Sequence, residues 1–563
     1  MDFVLALHGH LPYVLHHGRW PHGSDWLCEA VLDCYLPLIE QVHALAARGI
    51  HCPITVGVSP VLANQLVDPG FASEFDAFVE QRLEACREAR RTLPESGDGA
   101  LVPLVDFWEE RFGRLRARLH AEGDVVAALR RLQEAGRLEV MTCAATHGHL
   151  SLLGREESVR LQLGVAAAEH RRLFGRPAAG CWLPECAYRP RGAWGPAGAP
   201  HPGPRAGTEE FLAEAGFRYF FTDAHLARAG SALGGYAEVP LGAERFDAER
   251  RGVARHRGED VHRTPYRAYL AGGARAPIAV MVRDPRSSMQ VWSRQLGYPG
   301  GAWYLEFHKI RWPGGLKLWR VSAPGSDLGA KRPYDPPAAL AQASLHASHF
   351  ASLLAGLGAS GDGAADGAVV AAPFDAELFG HWWFEGVDFL GAVYRRLADG
   401  AGVRATTASE HLDAYPPRIA IELEAGSWGA GGDDGMWLNP QTAWTWQRLW
   451  SVEERFWRVV PSALERPAAH PLLAQAAREL LLAQASDWQF IITTGAVADY
   501  GERRFKLHAD DAELLVGVLE EASRGAVVPG QAQRIAEDLA RRDALFPDVV
   551  AQVAAAAGGG GAA

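Results

Sequence analysis

GCWLPECAY, residues 180–188, reads as a short apolar strand running straight into a turn that carries one carboxylate, Glu185. The same unit recurs outward from it in both directions. Upstream, Phe3–Leu7 ends in His8-Gly9-His10, CPITVGVSP (52–60) ends in Ser59-Pro60, and LEVMTCAA (138–145) ends in Thr146-His147-Gly148-His149. Downstream lie FRYFFTD (217–223), APIAVMVRD (276–284) and AVVAAPFDAELF (368–379). Short strands alternating with helical stretches, each with polar residues just past its end, predict a parallel α/β sheet or barrel. Such folds place their chemistry at the carboxyl-terminal strand ends, where these polar groups sit.

The chain is 563 residues long, which suggests about two to four structural units. Hydrophobic residues make up 48% and charged residues 22%, the composition of a folded globular protein. Basic residues number 56 against 67 acidic ones, a net charge of −11 that gives no electrostatic reason to bind nucleic acid. No run reaches the roughly 18–20 apolar residues of a membrane span. The opening MDFVLALHGHLPYV lacks a basic segment, and its apolar run is shorter than that of a signal peptide. The seven cysteines are odd in number and confined to the first third, which predicts buried free thiols and a cytoplasmic location.

Within the α/β pattern, residues 61 to about 135 are helical throughout, an insertion in a catalytic unit assigned to 1–407. Beyond 408 the pattern turns to amphipathic helices with hardly a strand, assigned to a helical domain over 408–550. The alanine- and glycine-rich tail, 551–563, is expected to be disordered. AWGPAGAPHPGPRAG (193–207) and ARAGSALGGYAE (227–238) read as surface loops placed to overhang a site, whereas GASGDGAADG (358–367) reads as a connector.

Four polar clusters gather at strand ends: His8 with His10, His147 with His149, Glu185, and Asp375 with Glu377. Glu185 lies among Trp182, Pro184 and Tyr188, and Asp375 lies in the aromatic stretch PFDAELFGHWWFEG. Two carboxylates in an aromatic-lined cleft suit glycosidic cleavage, one at the anomeric carbon and one protonating the leaving oxygen. Spacing leaves the second acid open among Asp375, Glu377 and Glu385. The histidines admit two readings, neutral donors to sugar hydroxyls or ligands of a divalent metal in a hydrolase or deacetylase. The 18 tryptophans point the same way as the carboxylates, because indole offers a flat apolar face to a sugar ring. Trp444, Trp450 and Trp457 fall near one helical face and read as packing. Trp428 and Trp437, flanking the glycine-rich SWGAGGDDGMWLNP, read as ligand platforms, as do Trp292 and Trp26.

LHGHLPYV, ATHGHLSLL, GCWLPECAYRP, PFDAELFGHWWFEG, GSWGAGGDDGMWLNPQTAWTW and SDWQFIITTGAVADYGERR, in that order, together resemble glycoside hydrolase family 57, and within it its 1,4-α-glucan branching enzymes. The resemblance implies a (β/α)7 barrel with a helical insertion plus an all-helical C-terminal domain. It also implies a retaining reaction on an α-glucan, with Glu185 as nucleophile, Asp375 as general acid/base and Glu377 in support. His8, His10 and His147 would lie near the donor glucose, and Arg283, Gly300, Trp428 and Asp487 would be substrate contacts. Trp26, Trp292 and Trp437 would line the cleft. No metal or organic cofactor is implied. The alternatives are an α-amylase or 4-α-glucanotransferase of the same family. One departure is the second motif, which carries His149 and Ser151 where the family usually has an apolar residue and proline. Glycines in the 227–238 loop permit motion, which makes Tyr236 a candidate lid over the intermediate.

Overall fold

Asp2–Gly9 (β1) is buried along its whole length, the pattern of a strand covered on both faces. The computed structural model describes residues 1–200, 202–228, 263–272, 277–293, 297–323, 325–359, 361–400, 402–525 and 530–559. Six further strands join β1: Thr55–Val58 (β2), Glu139–Cys143 (β3), Cys181–Trp182 (β4), Tyr219–Thr222 (β5), Ile278–Val282 (β6) and Val369–Asp375 (β7). Parallel pairings run β7 to β1, β1 to β2, β2 to β3 and β3 to β4. A parallel pairing also joins β5 to β6. Two parallel bridges complete the circle, Gly180 with Tyr219 and Arg283 with Ala371. The result is the expected seven-stranded parallel barrel, with every carboxyl end on one rim.

Between β2 and β3 the chain leaves the barrel as helices Pro60–Leu66, Phe71–Glu95, Val102–Glu122 and Val125–Glu134. Phe71, Phe75, Phe78, Cys86 and Ala89 form the buried face of the second of these, and Val105, Trp108, Phe112, Leu115 and Leu119 that of the third. Gly123, at φ 82°, ends the third helix, and Asp124 starts the next by accepting the Ala127 N–H at 2.7 Å.

The helices after residue 442 pack around His470–Ala483, which is buried on nearly every side. Helix Ala443–Leu464 fastens this group to the barrel. Its Trp450 Nε1 donates to the Leu152 carbonyl and its Trp457 Nε1 to Ser158 Oγ, both at 2.8 Å. Trp446, Trp450 and Trp457 are its buried indoles, whereas Trp444 is only partly covered. Trp444 also packs against the core, edge-on to Phe505, so Trp446 joins the three that spacing suggested. Strand structure also continues past 407: Ala420–Ile421 pairs with Leu270–Ala271.

Two readings are corrected. Segment 193–207 is no plain loop: Gly192–Trp194 and Gly203–Arg205 pair as an antiparallel hairpin. Trp194 anchors it, buried with its Nε1 donating to the Ser151 carbonyl at 3.0 Å. The tail is not disordered from 551, because Val549–Ala557 is a helix that buries Val549, Val553 and Ala556. These three share one face at helical spacing, which composition alone conceals. Tyr236 and most of the 227–238 loop lie outside the described residues. All seven cysteines are free and buried, and among the described residues no helix is long and apolar enough to cross a membrane.

Candidate active site

The two-residue strand β4 ends abruptly because Glu185 and Cys186 take left-handed backbone angles, φ 59° and 46°. Such conformations cost non-glycine residues about 1–3 kcal/mol each and persist only where surroundings impose them. Here the segment 426–428 does so. Tyr188 and Gly426 exchange two backbone hydrogen bonds, at 2.8 and 3.0 Å, and the Trp428 N–H donates to the Glu185 carbonyl at 3.0 Å. The turn thereby lifts the Glu185 carboxylate off the strand and onto the rim.

Each Glu185 oxygen accepts one hydrogen bond, Oε1 from Ser486 Oγ at 2.6 Å and Oε2 from Trp428 Nε1 at 3.2 Å. Burial pushes this carboxyl up to about 7; the Ser486 bond opposes that, the Asp487 charge adds to it, and Trp428 and His10 oppose it. Asp375 ends β7 and pairs in register with His8 of β1. Burial drives it well above the usual carboxylate range, and the charges of Glu377 and Glu185 drive it further, against Arg283. Burial thus favours the protonated form of both acids, while among the described contacts Glu185 alone has two donors for its anion. Two residues on, Glu377 accepts from the Tyr35 hydroxyl and from the His10 N–H, so it braces the β1 loop against the β7 loop.

The histidines stack on this rim. His10 lies over His147 with ring centres 4.0 Å apart, and His8 lies over Trp182 at 4.7 Å. His10 reaches Ser59 Oγ at 2.8 Å and Asp487 Oδ2 at 3.0 Å, while His147 reaches Ser486 Oγ at 2.9 Å and His8 Nε2 at 3.1 Å. Burial, and then the neighbouring imidazoles, hold His8 and His147 well below the normal range, hence neutral. His10, His147 and Asp487 are near enough to ligate one ion, with atoms within 4.8 Å, as are His8, Cys143 and His147. However, both nitrogens of His10 and of His147 are already committed to hydrogen bonds, which fits a support network better than an ion site.

Arg283 is buried beside this cluster, paired with Asp223 at 3.1 Å and bonded to Ser288 Oγ at 2.9 Å. Its guanidinium faces Trp292 at 5.8 Å and Trp428 at 5.7 Å. Glu185, Asp375, His8, His10, His147, Arg283, Trp292, Trp428 and Asp487 thus converge. Two expected lining residues, Trp437 and Trp26, and one expected substrate contact, Gly300, do not join them among the described contacts. Trp437 is 1% exposed, beneath the loop and against His149 and Phe490. Gly429 explains this: a Cβ there would come 2.6 Å from the Trp437 ring, so glycine lets the indole pack directly under the backbone. Trp26 meets His22 edge-on, and Gly300 ends a turn whose Tyr298 bonds His349. His149 is fully buried against Trp437. Ser486 is the residue that spacing missed; its only signal is adjacency to Asp487 in the SDWQF motif.

Residues 4–424 match the model of glycosyl hydrolase family 57, and residues 449–553 match that of the C-terminal region of 1,4-α-glucan branching enzymes. The chain is 37% identical to a 1,4-α-glucan branching enzyme of Thermococcus kodakarensis over 97% of its own length and 77% of that relative's. The crystal structure of that relative, in complex with glucose, superposes with a TM-score of 0.87, covering 98% of this chain and 96% of the other. A branching enzyme of the same type from Pyrococcus horikoshii gives 0.85 at 34% identity, covering 98% and 96%. An α-amylase of Thermotoga maritima gives 0.75 at 26% identity, covering 98% and 99%.

Proposed function

The chain belongs to glycosyl hydrolase family 57, and from that premise we infer that it is a 1,4-α-glucan branching enzyme. The observation that carries this is the composition of the site. Ser486 and Asp487, from the region matching the branching-enzyme C-terminal model, bond directly to Glu185 and His10 of the barrel. In the proposed cycle Asp375 protonates the oxygen of an α-1,4 bond while Glu185 attacks the anomeric carbon. The products are a shortened chain and a covalent glycosyl–enzyme. Asp375, now a carboxylate, takes the proton from a 6-hydroxyl of another glucan segment. That oxygen displaces Glu185 with overall retention and leaves an α-1,6 branch. The buried free thiols favour a reducing compartment, and we place the enzyme in the cytoplasm.

An α-amylase with the same two acids would pass the intermediate to water. Amylose treated with the enzyme, then debranched and analysed by chain length, separates the two. New α-1,6 linkages with few new reducing ends are expected, and reducing ends without branches would overturn the assignment. Glu185→Gln and Asp375→Asn should each nearly abolish branch formation, and survival of full activity in either would remove that residue from its role.

A further inference from the structure

Ser486 touches Glu185 and His147 with one atom. Its Oγ lies 2.6 Å from Glu185 Oε1 and 2.9 Å from His147 Nδ1, and its N–H donates to the His147 carbonyl at 3.1 Å. A hydroxyl has a single proton to donate, and an ionised carboxylate can only accept. The Ser486 proton therefore points at Oε1, and His147 Nδ1 carries the hydrogen that points at Oγ. In a neutral imidazole the other nitrogen is then bare, so His147 Nε2 accepts from His8 Nε2, 3.1 Å away. His8 Nδ1 is left bare in turn. That atom is buried and has no hydrogen-bond partner. Reversing the chain would put an N–H on it, an unsatisfied buried donor, which is the costlier defect. The chain thus has one favourable direction, ending on the carboxylate.

We propose that Ser486 is a positioning residue for the nucleophile: the buried chain His8–His147–Ser486 is polarised toward Glu185 and fixes its carboxylate as an oriented anion. This rests on the reading of Glu185 as nucleophile. It gives His8 and His147 a supporting role toward Glu185 beside the donor-glucose placement the resemblance implies, since three of their four ring nitrogens face each other or Ser486. The other titratable groups around Glu185 are His10, Asp487, Asp375 with Glu377, Arg283, and the thiols of Cys143 and Cys186. A change confined to Ser486 leaves all of them in place.

The test compares Ser486→Ala and Ser486→Thr with the unmodified enzyme, measuring kcat and KM for amylose branching from about pH 5 to about pH 9. The low-pH limb of kcat/KM reports ionisation of the nucleophile in the free enzyme. Loss of one hydrogen bond to a charged group should move that limb up by about one to two pH units. Activity at the acidic end should fall about 10- to 100-fold, recover as pH rises, and leave KM little changed. Ser486→Thr, which keeps the hydroxyl, should restore the profile. An unshifted limb, or an equal loss at every pH that threonine fails to repair, overturns the proposal. Glu185→Gln separates the two readings, because an active Glu185→Gln overturns the nucleophile assignment itself, whatever Ser486→Ala does.

Discussion

Glu185 holds its left-handed backbone because Trp428 secures it twice, by backbone N–H to its carbonyl and by indole N–H to its carboxylate. Trp428→Phe keeps a ring against Trp182 and Trp292 but removes the second bond. A fall of about 10- to 100-fold in kcat/KM is expected, steepest at acidic pH, from steady-state kinetics across pH. Since burial places the Glu185 carboxyl at about 7, activity of the unmodified enzyme should rise as pH climbs through that value. Loss of the Asp375 proton, which burial and the charges of Glu377 and Glu185 oppose, should set the decline on the alkaline side. A profile flat between pH 5 and 8 would contradict the Glu185 assignment. Glu185 stood out because it closes a strand pattern among aromatic neighbours, whereas the same pattern left Asp375, Glu377 and Glu385 open and only the family resemblance singled out Asp375. Ser486 did not stand out, since its meaning arises from a contact across 301 positions. Trp437 misled for a related reason: a glycine-rich loop signals close backbone approach as readily as exposure.

Elements were legible wherever periodicity was strong. The barrel strands and the helical insertion declared themselves by continuous apolar runs and by one-sided helices. Gly192–Trp194 and Ala420–Ile421 did not, because they are too short to carry any alternation and, unlike Cys181–Trp182, lie in no extended apolar run. The last helix, Val549–Ala557, was hidden by alanine, which builds helices as well as it fills low-complexity tails. Its contribution is testable. Val553→Asp buries an unpaired charge and should destabilise the protein by about 3 kcal/mol or more, read as a lower urea midpoint. Ala551→Asp, on the exposed side of the same helix, should leave the midpoint nearly unchanged.

At the scale of the whole molecule, barrel and helical region meet through a polar seam inside the core. Glu453 of helix Ala443–Leu464 accepts the Gly154 N–H at 2.8 Å and a Gln484 side-chain N–H at 2.9 Å. Burial raises its carboxyl from 4.5 to about 7. A raised folded value means that the folded protein binds the proton more tightly than the unfolded chain. The associated stability is present in full below about pH 4.5 and is lost as pH rises through about 7. Glu453→Gln cannot titrate. Its melting temperature relative to the unmodified enzyme should therefore shift in the variant's favour from pH 5 to pH 8, and a difference constant with pH would contradict this.

The bond from His10 to Asp487 spans 477 positions of the chain. Ribosomes add about 5–20 residues per second, so roughly 25 to 95 seconds separate the synthesis of its two ends. All seven barrel strands are made before Ser486 and Asp487 leave the ribosome. Glu185 therefore waits for the Ser486 hydroxyl until the helices after residue 442 have been made, and the cluster on the barrel rim is assembled only once that later region joins it.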